Sequence, residues 1–285
     1  MSFYFVIMTV KINFMEVEDP GVAVITGASS GIGESFARIL AGQGFDLVIT
    51  ARRKNRLEAL AAELKEKEGI NIEIITGDLS KPEFMDEVAD YIEKIENLDV
   101  LVNNAGFSTL EQFISKNSKV DPFMTMLNLH CGAVVRLMHA ALKPMRNNDR
   151  GVIFNISSMA SLILHGSREP MYHSTKAFVS AFTEMVQLKL NFVKSKVKVK
   201  SICPGNTHTE IFGPAAIATP GKFGGPMTPE EVVDISLDSY KNKDTIVITG
   251  DHNIDEVMEW REVAYNKSGR YFSKNWIKTG LYKPL

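Results

Sequence analysis

The sequence predicts an α/β protein: a doubly wound, mostly parallel sheet of seven strands with helices on both faces. Three observations carry that reading. From Gly21 onward, short β-branched apolar runs alternate repeatedly with longer amphipathic segments. The runs are apolar nearly throughout, as expected of strands covered on both sides. No Ser/Gly linker, internal repeat or low-complexity tract breaks the rhythm, so one domain is expected rather than two.

In chain order, the predicted strands are 22–25, 46–50, 71–75, 100–102, 152–156, 197–203 and 245–248. The predicted helices are 34–41, 56–67, 83–95, 121–145, 174–192 and 229–241. Two helix starts carry their own chemistry. Thr228-Pro229-Glu230-Glu231 offers a capping threonine, proline at the first helical position and acids in the first turn. Ser80-Lys81-Pro82-Glu83 places a glutamate three residues after a capping serine.

The composition excludes several classes. The 285 residues are 45% hydrophobic and 23% charged, too ordinary for a disordered or fibrous chain and ample for a sizeable core. A formal net charge of −2 gives no global basic field for nucleic acid, so no nucleic-acid partner is expected. Cys131 and Cys203 cannot make a disulfide framework, and with no apolar run of membrane-spanning length a cytoplasmic protein is expected. The 6 histidines show no metal-ligand spacing, so no metal is expected.

Residues 1–20 read as an N-terminal extension. The first ten, MSFYFVIMTV, are apolar, but no basic residue precedes them and no small-residue cleavage site follows, which argues against a secretory signal. An extra strand or flap, a disordered leader and a start at Met15 all remain open. A start at Met15 loses none of the motifs below.

Four constellations carry chemistry. Thr26-Gly27-Ala28-Ser29-Ser30-Gly31-Ile32-Gly33 follows the first strand and opens a helix. Such a turn aims backbone N–H groups and a positive helix end at an anion, and its glycines admit a pyrophosphate; alone it is a weak signal, since a tight turn with no ligand has the same form. At the end of the second strand, Arg52 and Arg53 stand where an acid would hold the ribose 2′-hydroxyl of NAD(H). Guanidinium groups suit a 2′-phosphate, so NADP(H) is expected, although a solvated charge cluster would look the same.

Asp78 after the third strand, and Asn103 to Gly106 after the fourth, lie at carboxyl ends of strands, where open parallel sheets bind ligands. Asp78 suits an adenine amino group or a turn, and Asn103 a turn. Small residues from Asn104 to Gly106 would let the backbone lie against adenosine.

The fourth constellation decides the reading. Ser157 and Ser158 end the fifth strand, and Tyr172 and Lys176 follow, four apart on one helix face. A phenol titrates near ~10, too high for a proton carrier at neutral pH. An ammonium ~4 Å away, at an effective dielectric of ~20, favours phenolate by ~4 kcal/mol, about three pKa units before desolvation opposes it.

With these motifs in place the chain resembles a short-chain dehydrogenase/reductase from about Gly21 to about Asn253. The resemblance rests on Thr26–Gly33, Asn103–Gly106, Tyr172 with Lys176, and Cys203-Pro204-Gly205 followed by Thr209. The Tyr172-to-Phe178 run and the segment Met227-Thr228-Pro229-Glu230-Glu231-Val232 are similar to the broad ketone and acyl-chain reductases. The resemblance implies a Rossmann-type fold over 21–253 and an NADPH-dependent, reversible reduction of a carbonyl compound.

It implies Tyr172 as acid in reduction and base in oxidation. Lys176 would lower its pKa and bind the nicotinamide ribose, and Ser158 would bond the substrate oxygen, with Ser157 the weaker alternative. Asn128, buried in the apolar helix, would anchor a water relay to Lys176. Cofactor contacts are implied for Gly27, Ser29, Ser30, Gly31, Ile32, Gly33, Arg52, Arg53, Asp78, Leu79, Asn104, Ala105, Gly106, Tyr172, Lys176, Pro204, Gly205, Thr207 and Thr209.

The resemblance also implies a mobile, apolar substrate lid over 207–227, a substrate with a hydrophobic part, and a homodimer or homotetramer built through the helices at 121–145 and 174–192. The tail, 254–285, ends in basic residues interleaved with aromatics; packing on its own protein or a neighbour is favoured over contact with a membrane surface. Two rival readings stand: a non-catalytic NADP(H)-sensing or scaffold protein, and an NAD-dependent alcohol dehydrogenase. A pure sensor has no need of the Tyr–Lys–Ser group.

Overall fold

A computed structural model describes residues 13–109, 111–162, 170–211 and 226–250. The first part of the N-terminal extension, the middle of the lid and the basic–aromatic tail lie outside the described residues.

The seven strands are β1 (Val22–Thr26), β2 (Asp46–Ala51), β3 (Ile72–Thr76), β4 (Leu98–Asn103), β5 (Val152–Ile156), β6 (Lys198–Pro204) and β7 (Ile246–Thr249). All pair in parallel, in the order β3-β2-β1-β4-β5-β6-β7. The order reverses between β1 and β4, which opens a crevice at the carboxyl ends of these strands. Most strands end a residue beyond the predicted limits, because the apolar runs stop before the backbone pairing does.

The helices are α1 (Gly31–Gly42), α2 (Lys54–Glu68), α3 (Pro82–Ile92), α4 (Asp121–Leu127), α5 (Val134–Asn148), α6 (Pro170–Phe192) and α7 (Pro229–Asp238). They cover both faces of the sheet. Successive strand residues point to opposite sides: Ile25 joins Phe36, Leu57, Phe154 and Val233 in one core, and Val24 joins Val88, Leu137 and Val199 in the other.

The predicted helix 121–145 is interrupted. Between α4 and α5 the residues Asn128–Ala133 form a π-helical segment, and the helix continues past Pro144 to Asn148. Asn128 opens that segment half-buried, not buried in a regular helix. The capping box at α7 forms as predicted, with Thr228 Oγ accepting from the Glu231 amide at 3.2 Å and the Glu231 carboxylate accepting from the Thr228 amide at 2.8 Å. The predicted cap at Ser80 does not: Lys81 is the N-cap of α3, and the Ser80 amide instead donates to Asp78 Oδ1 at 3.0 Å. The aspartate reaches two residues ahead and takes over the turn.

Residues 13–17 pack onto one of the two cores, with Met15 buried in it. Phe14 packs edge-on against Tyr240, with ring centroids 5.3 Å apart, and against Phe45 and Phe154. Asn13 is buried and caps the amides of Met15 and Val17. A chain beginning at Met15 keeps the motifs but loses these contacts. Among the described residues no helix is long and apolar enough to cross a membrane.

Candidate active site

The carboxyl ends of β1, β2 and β4 meet around the glycine turn. Gly27 has φ +69°, and a Cβ there would stand 2.8 Å from Asn104 Nδ2. Asn104 donates to the Thr26 and Gly27 carbonyls, and the Thr26 hydroxyl accepts the Asn104 and Ala105 amides at 2.9 and 3.0 Å. The β1 and β4 turns are thus locked together. Ser30 precedes α1 without a side-chain cap, so the first-turn amides of Gly31, Ile32 and Gly33 have no hydroxyl or carboxylate folded back on them. That is a donor set fitted to a pyrophosphate.

Arg53 is built into the site. Its guanidinium donates to Ser29 Oγ at 2.9 and 3.0 Å and to Ser30 Oγ at 2.6 Å. Arg52 is exposed. At Asp78, burial raises the carboxyl, but the Ser80 hydrogen bonds and the charges of Arg52 and Lys81 outweigh it and leave it below the usual range. Leu79 turns its side chain into the core. Converging guanidinium and serine hydroxyl donors suit a phosphate dianion, so the residues present fit NADP(H).

Ser158 leaves the end of β5 and caps a short 3-10 turn, its Oγ accepting the Ala160 amide at 3.1 Å. Its hydroxyl lies beside the Tyr172 phenol. Tyr172 lies in the first turn of α6. One turn on, Lys176 is 4% exposed; its Nζ donates to the Ile156 carbonyl at 2.8 Å and lies 5.8 Å from the Tyr172 ring centroid. Ser157 faces away, its Oγ donating to the Lys176 carbonyl at 2.9 Å and lying 2.9 Å from Ser180 Oγ.

Pro204 is buried at the end of β6, and the Gly205 amide donates to the Thr249 carbonyl. Thr207 bridges to Met227, and Thr209 lies against Gly31, its methyl 3.2 Å from where a Cβ would be. His208 is exposed.

The profile of the family described as short chain dehydrogenase matches residues 21–218. The chain belongs to that family. It is 29% identical over 255 residues to a 7beta-hydroxysteroid dehydrogenase of Mediterraneibacter gnavus, covering 84% of this chain and 89% of that one. Among solved structures it resembles a short-chain dehydrogenase from Sphingobium yanoikuyae in complex with NADPH, with TM-score 0.77, 30% identity, and 88% and 95% of the two chains covered. It also resembles the bulky-bulky ketone specific alcohol dehydrogenase from Comamonas testosteroni, with TM-score 0.75, 28% identity, and coverage of 88% and 93%. As a short-chain dehydrogenase the protein is an oxidoreductase with a nucleotide-binding, Rossmann-type fold.

The electrostatics of this short-chain dehydrogenase differ from the sequence expectation in one respect. Burial raises the Tyr172 phenol above its ordinary value, and the Ser158 hydroxyl beside it only partly offsets this. Lys176 is itself pushed down to about 8 by burial. Desolvation is the largest effect at both groups, because both leave water. At neutral pH the phenol keeps its proton and the ammonium its charge.

Two residues of the site were not legible in the sequence. Glu210 accepts from Arg53 Nη1 at 2.6 Å and from Arg56 Nη1 at 3.1 Å. It lies 157 residues beyond Arg53, and nothing local announces the pair. His130, on an apolar stretch, looks like any core histidine. Among the described residues no cluster of His, Cys, Asp or Glu is arranged to hold a metal ion.

Proposed function

We propose that this short-chain dehydrogenase reduces a ketone bearing hydrophobic groups to an alcohol at the expense of NADPH. The observation that carries the reading is the grouping of Ser158 and Tyr172 with the buried Lys176, whose Nζ lies 5.8 Å from the Tyr172 ring centroid. A bound nicotinamide would supply the hydride. Ser158 donates to the substrate oxygen and stabilises the charge that develops there. Tyr172, which keeps its proton at neutral pH, donates it to that oxygen. Lys176 keeps a positive charge beside the phenol up to about pH 8 and binds the ribose hydroxyls. Asn128, at the start of the π-helical segment, holds a water that hands protons to Lys176.

NADPH is preferred over NADH on the strength of Arg53 with Ser29 and Ser30, with Arg52 beside them. The glycine turn from Gly27 to Gly33 holds the pyrophosphate. Asp78, the Leu79 backbone, Asn104, Ala105 and Gly106 face adenosine, and Pro204, Gly205, Thr207 and Thr209 face the nicotinamide end. A bulky apolar substrate accords with the hydroxysteroid and bulky-ketone relatives. We further propose a homodimer or homotetramer through α4–α5 and α6, where Val135, Phe178, Met185, Leu188 and Phe192 are exposed. Cys131 and Cys203 are buried and free, in keeping with a reducing cytoplasm.

The test is a panel of aldehydes and ketones graded in size and polarity, followed by the loss of reduced-cofactor absorbance with NADPH and with NADH. Turnover of bulky apolar ketones with NADPH is expected. Turnover of none of the panel with either cofactor would overturn the reading.

A further inference from the structure

His130 lies in the π-helical segment and is 1% exposed. A π turn holds one residue more than an α turn and re-aims the side chains on it; here it brings the imidazole beneath the first turn of α6. The ring has a partner on each side. Nε2 accepts the Phe107 amide at 3.2 Å, and Nδ1 stands 2.9 Å from Thr175 Oγ1. The Thr175 hydroxyl in turn donates to the Tyr172 carbonyl at 3.1 Å.

One tautomer satisfies the whole chain. A threonine hydroxyl carries a single hydrogen. Thr175 gives its hydrogen to Tyr172, so it must receive from His130 Nδ1–H, and Nε2 is left bare to accept from Phe107. Protonating Nε2 would set two hydrogens against each other. Burial, and the Lys176 charge beside it, hold the imidazole well below the usual histidine range despite the Phe107 bond.

The imidazole also packs edge-on against the Tyr172 ring, with centroids 5.9 Å apart, and against Phe107 at 6.0 Å. A Cβ on Gly106 would stand 3.0 Å from Nε2. Gly106 thus leaves the histidine room to approach, a reason separate from the adenosine contact its small size suggests.

We propose that His130 is a positioning residue for Tyr172. As a neutral Nδ1–H imidazole it ties the turn after β4 to the first turn of α6 and fixes where the phenol points. This rests on Tyr172 being the proton donor, as proposed above. Misplacing a reacting group by about 1 Å can cost on the order of 10²-fold in rate, so a tie of this kind acts on kcat more than on binding.

The experiment uses the full chain, NADPH and the best ketone of the panel. His130→Phe keeps a planar ring and removes both hydrogen bonds. It is expected to lower kcat by about 10–100-fold with the KM for ketone and the NADPH Kd within about threefold, and to raise the solvent deuterium isotope effect on kcat. Thr175→Val is expected to lower kcat in the same way and Thr175→Ser to restore it, with the double variant no worse than His130→Phe alone. Nitrogen-15 spectra of histidine-labelled protein are expected to show His130 protonated at Nδ1.

An Nε2–H tautomer, additive losses in the double variant, or a kcat within threefold of wild type in folded His130→Phe would overturn the proposal. Should His130→Phe not fold, the Thr175 pair and the tautomer decide it. Tyr172→Phe in the same assay separates the two claims. If that variant turns over normally, the tyrosine assignment has failed and the positioning role falls with it; if it is inactive while the His130 and Thr175 variants are normal, only the positioning role has failed.

Discussion

Ser157 and Ser158 are neighbours in the chain, but the fold uses them in opposite directions. The Ser157 hydroxyl bonds the Lys176 carbonyl and Ser180 in the interior, and the Ser158 hydroxyl faces the Tyr172 phenol. Successive residues leaving a strand point to opposite sides, so only one of the pair reaches the substrate. Ser158→Ala is expected to lower kcat/KM by about 10²–10³-fold with little change in stability. Ser157→Ala is expected to cost about 1–2 kcal/mol of stability while retaining most activity. Steady-state kinetics and denaturant melts of both variants check the division.

The cofactor preference is concentrated in one arginine. Arg53 is half-buried and held by Ser29 and Ser30, and Arg52 is exposed. Arg53→Ala is expected to weaken NADPH binding by about 10–100-fold and NADH binding by less than threefold, with Arg52→Ala costing NADPH less than Arg53→Ala. Because the Glu210 carboxylate pairs with the same guanidinium, Glu210→Gln is expected to tighten NADPH by a few-fold, the scale of an exposed ion pair. Fluorescence titrations with both cofactors check all three.

Lys176 carries a cost in stability. Its amino group titrates near 10.4 when unfolded and at about 8 in the fold, because burial disfavours its charge. Below about pH 8 the fold bears the full penalty. Between about 8 and 10.4 the unfolded chain binds more protons, so this group's contribution to stability rises with pH. Lys176→Met is expected to stabilise the protein by about 1–3 kcal/mol at pH 7 and to lose that advantage as pH climbs through the window, while abolishing turnover. Melts from pH 7 to about 10 give the sign.

Residues 13–17 are part of the fold. Phe14→Ala is expected to cost about 2–4 kcal/mol through its lost contacts with Phe45, Phe154 and Tyr240. A truncation starting at Met15 is expected to melt lower by a similar margin. Calorimetry of the two proteins measures it.

The layered α/β architecture was legible because buried parallel strands and amphipathic helices write different periods into the chain. The glycine turn, the Tyr172–Lys176 pair and the α7 capping box were legible because each is local, its parts lying within one or two turns. The π-helical segment was not, since shifting a helix by one hydrogen bond leaves its apolar pattern nearly intact. The Ser80 cap failed because Asp78, two residues earlier, competed for the same turn. The pairing of Arg53 with Glu210 and of His130 with Thr175 joins distant parts of the chain. The pKa balance at Tyr172 depends on burial, which spacing along a helix does not reveal.

The central claim is that Tyr172 hands its proton to a carbonyl at this site. Single-turnover oxidation of bound NADPH by a bulky ketone tests it most directly, comparing the wild type with Tyr172→Phe. The account expects the variant to bind NADPH with unchanged affinity and to oxidise it about 10²–10⁴-fold more slowly. A variant that turns over its bound NADPH at the wild-type rate would contradict it.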